Sequence, residues 1–214
     1  MPVKTIAILD YGFGNIHSLL KALNFIGQKT IIADSPQNIA SASHLIIPGV
    51  GAFGDAMKTI RNKDLIIPIK EFANQSKPIL GICLGMQLLF SESEEFGHHY
   101  GLNIIPGRVT RLPQPSLVNQ EPEYKIPFIG WNRILPSVTW KNSILRQVIP
   151  ETSMYFVHSY AAQPQDKNNT IAYASYGHHH IPAVVKHNNI YGCQFHPEKS
   201  RASGLSIIES FAKL

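Results

Sequence analysis

The sequence predicts an α/β protein: an open, mostly parallel, doubly wound sheet with an antiparallel addition. Three observations carry this expectation. Short runs such as Thr5-Ile6-Ala7-Ile8-Leu9 and His44-Leu45-Ile46-Ile47 are apolar with little polar alternation, as strands covered on both faces must be. Between such runs lie stretches with apolar residues at helical spacing. Across residues 100–185 the runs become shorter and are broken by proline and glycine, which suits antiparallel strands and tight turns.

Taken in order, Thr5 to Leu9 forms a buried first strand, and Asn15 can cap a helix whose Ile16, Leu19, Leu20, Leu23 and Ile26 make one apolar stripe ending at Gly27. Lys29 to Ala33 and His44 to Ile47 supply further strands, with a helix beginning near Pro36 between them and another after Pro48-Gly49-Val50-Gly51-Ala52-Phe53. Gly12-Phe13-Gly14-Asn15 lacks the third glycine of a dinucleotide loop, so it reads as a helix entry. Pro78-Ile79-Leu80 is the next strand. Tyr155-Phe156-Val157 and Thr170-Ile171-Ala172-Tyr173 belong to the antiparallel part, residues 113–127 read as a mobile surface loop, and Ile207, Ile208 and Phe211 mark a closing amphipathic helix.

Composition bounds the function. The chain has 214 residues, 44% apolar and 15% charged, enough for one domain, 1–214, with its own core. Two cysteines without CxxC spacing exclude a disulfide scaffold and fit a reducing cytoplasm. Residues 1–6 lack a signal peptide's apolar segment, and no apolar run approaches the roughly 18 residues of a membrane span. The net charge of +5 is scattered, so no nucleic-acid partner is expected. His178-His179-His180 after Tyr176-Gly177 reads as an exposed loop without carboxylate or cysteine at ligand spacing, and no metal and no cofactor are expected.

Gly81-Ile82-Cys83-Leu84-Gly85 stands where the strand at residue 80 passes into the amphipathic stretch Met86-Gln87-Leu88-Leu89-Phe90. A nucleophile elbow has this form: the turn is sharp and strained, glycine is needed two residues before and after, and the first helical N–H groups face the nucleophile. Taken alone, the pattern fits a buried cysteine in a glycine-rich turn equally well. Further along, Tyr191-Gly192-Cys193-Gln194-Phe195-His196-Pro197-Glu198 reads as a strand ending in a proline-limited turn, and period 2 puts His196 and Glu198 on one side of the chain. A nucleophile, a base and an orienting carboxylate are thus available to one fold, in a chain order that is no obstacle. Cys193 falls out of phase with His196 and reads as a packed thiol.

The elbow, the Pro48 to Phe53 loop, Gly130-Trp131-Asn132, Tyr155-Phe156-Val157-His158-Ser159-Tyr160 and Gln194-Phe195-His196-Pro197-Glu198-Lys199-Ser200 together resemble the triad-type, class I glutamine amidotransferases. Within that family they are similar to the glutaminase subunits of imidazole glycerol phosphate synthase. The resemblance implies L-glutamine as substrate, Cys83 as nucleophile, His196 as acid and base, and Glu198 as its orienter. It implies an oxyanion site from the N–H of Leu84 and an N–H of the loop at Val50 and Gly51, with Gly49 allowing close approach of backbone to substrate. Gln87 and the 158–160 segment (His158, Ser159, Tyr160) are its substrate contacts. Released ammonia needs an acceptor site, and the implied partner is a (βα)8-barrel cyclase subunit in a heterodimer, with Lys199, Trp131 and Asn15 as interface candidates. Three other readings stay open: a paralogous glutaminase serving another synthase such as a surface-sugar amidotransferase, a thiol hydrolase of γ-glutamyl peptides, and a non-enzymatic thiol sensor.

Overall fold

The structure, a computed structural model, describes residues 4–118 and 120–214. The chain begins β1 (Thr5–Leu9), α1 (Ile16–Phe25), β2 (Lys29–Ala33), α2 (Pro36–Ser41), β3 (His44–Ile47), α3 (Phe53–Asn62), α4 (Ile66–Asn74) and β4 (Ile79–Ile82). A short helix α5 (Leu84–Leu88) follows, then β5 (Phe90–Ser93), β6 (His99–Tyr100), β7 (Ile105–Arg111), β8 (Leu117–Val118), β9 (Glu121–Pro122) and β10 (Phe128–Pro136). The remainder is β11 (Ser153–His158), β12 (Tyr160–Pro164), β13 (Thr170–Tyr176), β14 (His179–His187), β15 (Ile190–Cys193) and α6 (Arg201–Ala212).

Among the described residues, nine strands form the main sheet in the order β11-β10-β13-β14-β15-β4-β3-β1-β2. The block from β15 to β2 is parallel, and the four strands beyond β15 pair antiparallel. The expected parallel sheet and its antiparallel addition are therefore one continuous layer. The pleat of β1 shows why the apolar runs were unbroken: Ile6 and Ile8 enter the core beneath α1 and α6, while Ala7 and Leu9 enter the core beneath α2, α3 and α4. Asn15 caps α1, its side chain accepting the Ser18 N–H at 3.3 Å.

Four differences from the sequence reading matter. A second sheet, β12-β7-β5-β6, packs beside the main one, and the sequence reading did not separate it from the antiparallel strands. The stretch after Cys83 is not an amphipathic helix through residue 90: α5 stops at Leu88, every one of its residues is buried, and Phe90 starts a strand. Residues 113–127 hold the hairpin β8-β9 rather than only loop, anchored where Tyr124 donates to the Pro113 carbonyl at 2.5 Å and packs edge-on to Tyr176; Asn119 within it, like residues 1–3 at the start, lies outside the described residues. His179 and His180 belong to β14, exposed, with the His180 ring against Tyr173. Among the described residues, no helix is long and apolar enough to cross a membrane.

The order β2-β1-β3-β4-β15 decides where chemistry can occur. Connections leave in opposite directions from β1, which opens a crevice outside the carboxyl ends of the strands. The loops after β3, β4 and β15, adjacent strands in the sheet, meet at that edge.

Candidate active site

Cys83 joins β4 to α5 with φ 54° and ψ −112°, a conformation that residues with a side chain rarely hold and that costs about 1–3 kcal/mol. Packing enforces it. A Cβ on Gly81 would lie 2.6 Å from the Gly85 carbonyl oxygen, and one on Gly85 would run into the Ile47 carbonyl, so the elbow's two glycines are steric necessities. The Cys83 N–H donates to the Cys193 carbonyl at 2.7 Å, extending the β4–β15 pairing to the nucleophile itself.

β15 delivers the other two members. Beyond Cys193 the chain passes through Gln194 and Phe195 to His196, and Pro197–Lys199 close a 3₁₀ turn. His196 Nδ1 lies 2.8 Å from Glu198 Oε1, with both side chains almost wholly buried. The pairing expected from strand periodicity is therefore made by a different geometry: the 3₁₀ turn, not a pleat, brings the carboxylate back to the imidazole. Ser200 fastens this turn, donating to the His196 carbonyl at 2.7 Å and accepting the Tyr155 N–H at 3.0 Å. Burial alone would lower the His196 pKa, but Cys83 and Glu198 outweigh it and raise it to about 9. The thiol hydrogen is turned to the Val157 carbonyl at 3.6 Å, and His196 Nε2 and Glu198 Oε2 have no hydrogen-bond partner among the described residues.

The loop after β3 forms the opposite rim. The buried Tyr11 hydroxyl donates to the Pro48 carbonyl at 2.7 Å, and burial pushes its pKa far up, so it remains a donor. Gly49 has no room for a side chain: its Cβ would lie 2.6 Å from the Tyr11 hydroxyl and 2.7 Å from the Gly85 nitrogen. Gly51 has φ +98°, open to glycine at little cost. Val50, 42% exposed, and Gly51 are the exposed residues at the tip of the loop.

Val50, Gly51, Cys83, Leu84, Gln87, His158, Ser159 and Tyr160 line one cleft of about 260 Å³. Gln87 is buried and spends both side-chain N–H groups, on the Tyr160 carbonyl at 2.9 Å and on Gln194 Oε1 at 3.1 Å. Its own oxygen alone is left for a substrate. His158 Nδ1 faces the same Tyr160 carbonyl at 2.9 Å and must carry the hydrogen there, which leaves Nε2 to accept from the Tyr176 hydroxyl at 2.8 Å. Burial is the main reason the His158 pKa falls to about 4, so the ring is neutral near pH 7.

Two residues of the site escaped the sequence reading. Glu95 lines the cleft and accepts the Phe53 N–H at 2.7 Å at the start of α3; desolvation raises its pKa. No motif announces it. Gln194 stood inside a recognised motif, yet its contacts with Gln87 and Cys83 depend on the assembled fold. Cys193, expected as a packed thiol, is fully buried and its pKa is raised above the usual thiol range. The interface candidates do not line the cleft. Trp131 is exposed on β10 with the Arg201 guanidinium 4.9 Å from its ring, Lys199 is exposed beside Glu198, and Asn15 borders a small cavity behind His196 and Glu198. Among the described residues, no cluster of three or more His, Cys, Asp or Glu has metal-site geometry.

Comparison with known proteins agrees with this geometry. The family model described as glutamine amidotransferase class-I matches residues 7–213. The chain is 43% identical over 215 residues to the imidazole glycerol phosphate synthase subunit HisH 1 of Legionella pneumophila (strain Lens), covering 99% of this chain and all of that one. It is 46% identical over 208 residues to the subunit HisH of Sulfurimonas denitrificans, covering 97% of each. Among solved structures it resembles one described as a glutamine amidotransferase, with a TM-score of 0.72 at 14% identity over 98% of this chain and 99% of that one. It also resembles PurLQS from Thermotoga maritima, with a TM-score of 0.70 at 15% identity over 98% of both. These last two show likeness of fold.

Proposed function

Because the chain belongs to the class I glutamine amidotransferases and, within them, to the HisH subunits of imidazole glycerol phosphate synthase, we propose that Cys83, His196 and Glu198 hydrolyse glutamine for that synthase. The protein is a glutamine amidotransferase of histidine biosynthesis. The observation that supports the triad best is the convergence of three sheet-edge loops, with His196 and Glu198 paired at 2.8 Å behind the strained Cys83.

Cys83, having given its proton to His196 Nε2, attacks the side-chain amide carbon of glutamine. The tetrahedral oxyanion is held by the Leu84 N–H, which has no helical acceptor of its own, and by an N–H of the Val50 to Gly51 loop. Collapse breaks the C–N bond, the imidazolium protonates the leaving ammonia, and a γ-glutamyl thioester remains. His196, now neutral, takes a proton from water, whose oxygen attacks the thioester; a second oxyanion forms and collapses, releasing glutamate and restoring the thiol. Glu198 holds the imidazole by Nδ1 throughout. Glu95 supplies the negative charge opposite the substrate's α-ammonium, backbone of the 158–160 segment binds its α-carbon end, and Gln87 Oε1 accepts an N–H from its side-chain amide.

Ammonia released in solution would be lost as ammonium, so the acceptor site belongs to a partner: the barrel cyclase subunit, docked over Trp131, Lys199 and Asn15. The setting is the cytoplasm, where Cys83 and Cys193 keep free thiols. Glutamate release measured on the purified protein, alone and with the cyclase and its nucleotide ligand, tests this reading, with Cys83→Ala as the blank. Strong stimulation that Cys83→Ala abolishes is expected. Cysteine-dependent activity indifferent to the cyclase would assign the protein to another synthase.

A further inference from the structure

A buried chain of amides joins the substrate wall to the nucleophile, and one end sets its direction. The Tyr160 carbonyl can only accept, and it is approached by two nitrogens, His158 Nδ1 and Gln87 Nε2, each at 2.9 Å. Gln87 must therefore present its NH₂ to Tyr160, and its second N–H runs to Gln194 Oε1 at 3.1 Å. With that oxygen engaged, Gln194 has its nitrogen left for the other side, where Nε2 lies 4.0 Å from Cys83 Sγ. Gln194 is 0% exposed and Gln87 5%, so no bulk water replaces a lost partner. Turning Gln87 over would set its oxygen against the Tyr160 carbonyl, and turning Gln194 over would set its NH₂ against the NH₂ of Gln87 and strand a buried donor; either costs more than the bond it breaks. The far end agrees with this direction: the Tyr160 carbonyl fixes the hydrogen on His158 Nδ1, and Nε2 then accepts from the Tyr176 hydroxyl.

We propose that Gln194 is a catalytic residue: its side-chain N–H, aimed by Gln87 and the Tyr160 carbonyl, donates a hydrogen bond to the Cys83 sulfur whenever that sulfur is negatively charged. This holds before attack on the amide and again when the thioester breaks. Gln194 transfers no proton; the thiol hydrogen goes to His196. A contact of 4.0 Å is at the outer limit for a neutral thiol, and ionised sulfur draws its donors closer. The inference rests on the reading of Cys83 as the nucleophile.

The test uses the glutaminase bound to its cyclase and follows alkylation of Cys83 by iodoacetamide from neutral to alkaline pH, together with kcat, KM and the melting temperature. Gln194→Met keeps the side-chain length and removes the donor. It is expected to slow alkylation at neutral pH by at least about tenfold, the gap closing as pH rises and the sulfur ionises unaided, with kcat falling by a similar factor and KM changing less than twofold. Gln194→Glu is expected to slow it further. Gln87→Met leaves Gln194 in place but unaimed; it is expected to give part of the alkylation effect, and Gln87→Met/Gln194→Met no more than Gln194→Met alone. This variant keeps the test open if Gln194→Met fails to fold. A profile that coincides with wild type, or one lowered by the same factor at every pH, would overturn the proposal. Failure of glutamine to protect wild-type Cys83 from the reagent would instead overturn the nucleophile assignment, and this inference with it.

Discussion

Glu95 carries two separable functions, and Glu95→Gln divides them. The carboxylate caps α3 by accepting the Phe53 N–H at 2.7 Å and lines the cleft across which the 158–160 segment faces it. Glutamine at this position keeps an acceptor for Phe53 and loses only the charge, so α3 stays capped while the substrate's α-ammonium loses its counter-ion. A hydrogen bond to a charged group contributes about 1.5–3 kcal/mol, and Glu95 is only partly buried; the lower end applies, so KM rises by roughly tenfold. The change in kcat stays below about threefold, because the reacting amide lies at the other end of the substrate. Acidity gives a second signature. The Glu95 pKa is raised, chiefly by desolvation, so the wild-type KM climbs as pH falls, starting above the pH at which an ordinary glutamate protonates, while the KM of Glu95→Gln stays flat over that range. Glu95→Ala removes the cap as well and costs about 1 kcal/mol, which lowers the melting temperature by roughly 2–4 °C. Steady-state glutamate release across pH, paired with thermal melts, measures all of this. A KM for Glu95→Gln within twofold of wild type at neutral pH would refute the counter-ion role.

Gly49→Ala drives a methyl group to 2.6 Å from the Tyr11 hydroxyl and displaces the oxyanion loop; loss of one oxyanion donor predicts a fall of about 10²–10³ in kcat while Cys83 still reacts with iodoacetamide. Asn15→Ala removes the α1 cap at 3.3 Å from Ser18 N and costs about 1 kcal/mol, read as a lower urea midpoint. The His196 pKa is raised from 6.5 to about 9, so its contribution to stability is complete below about pH 6.5 and is lost as pH rises through about 9. Urea midpoints should accordingly fall across that window, and fall less in Glu198→Gln, which leaves the Cys83 contribution to the shift and weakens that of Glu198. Trp131→Ala, which also frees the Arg201 guanidinium stacked on it, should weaken cyclase binding in titration calorimetry by at least about tenfold and leave glutaminase activity without the partner unchanged.

The parallel half of the fold was legible because each of its strands is a short apolar run closed by proline, glycine or a polar cluster, so that β1, β2 and β3 coincide with the runs that predicted them. The elbow was legible for a steric reason that survives in three dimensions: Gly81 and Gly85 face backbone that leaves no room for a side chain. The second sheet was not. Its strands, such as Ile105–Arg111, are mixed in polarity because one face meets solvent, and their pairing with Phe90–Ser93 joins segments whose adjacency no local pattern encodes. The residues 113–127 read as loop because proline and charge dominate them, and the anchor is a single aromatic, Tyr124, whose partner Tyr176 lies far along the chain. His196 and Glu198 were found for the right chemistry through the wrong geometry, since Pro197 starts a 3₁₀ turn where a pleat was assumed. Glu95 and Gln194 act through a helix end and an amide network, and neither leaves a mark in spacing.

The most direct test of the account is to quench the cyclase-bound enzyme during turnover in acid and weigh the peptides. A γ-glutamyl group on the peptide bearing Cys83, absent in Cys83→Ala and strongly diminished in His196→Asn, which lacks the acid and base that forming the thioester requires, is the result predicted. Sustained glutamate release with no modification at Cys83 under any quench, or a group attached at Cys193 instead, would contradict it.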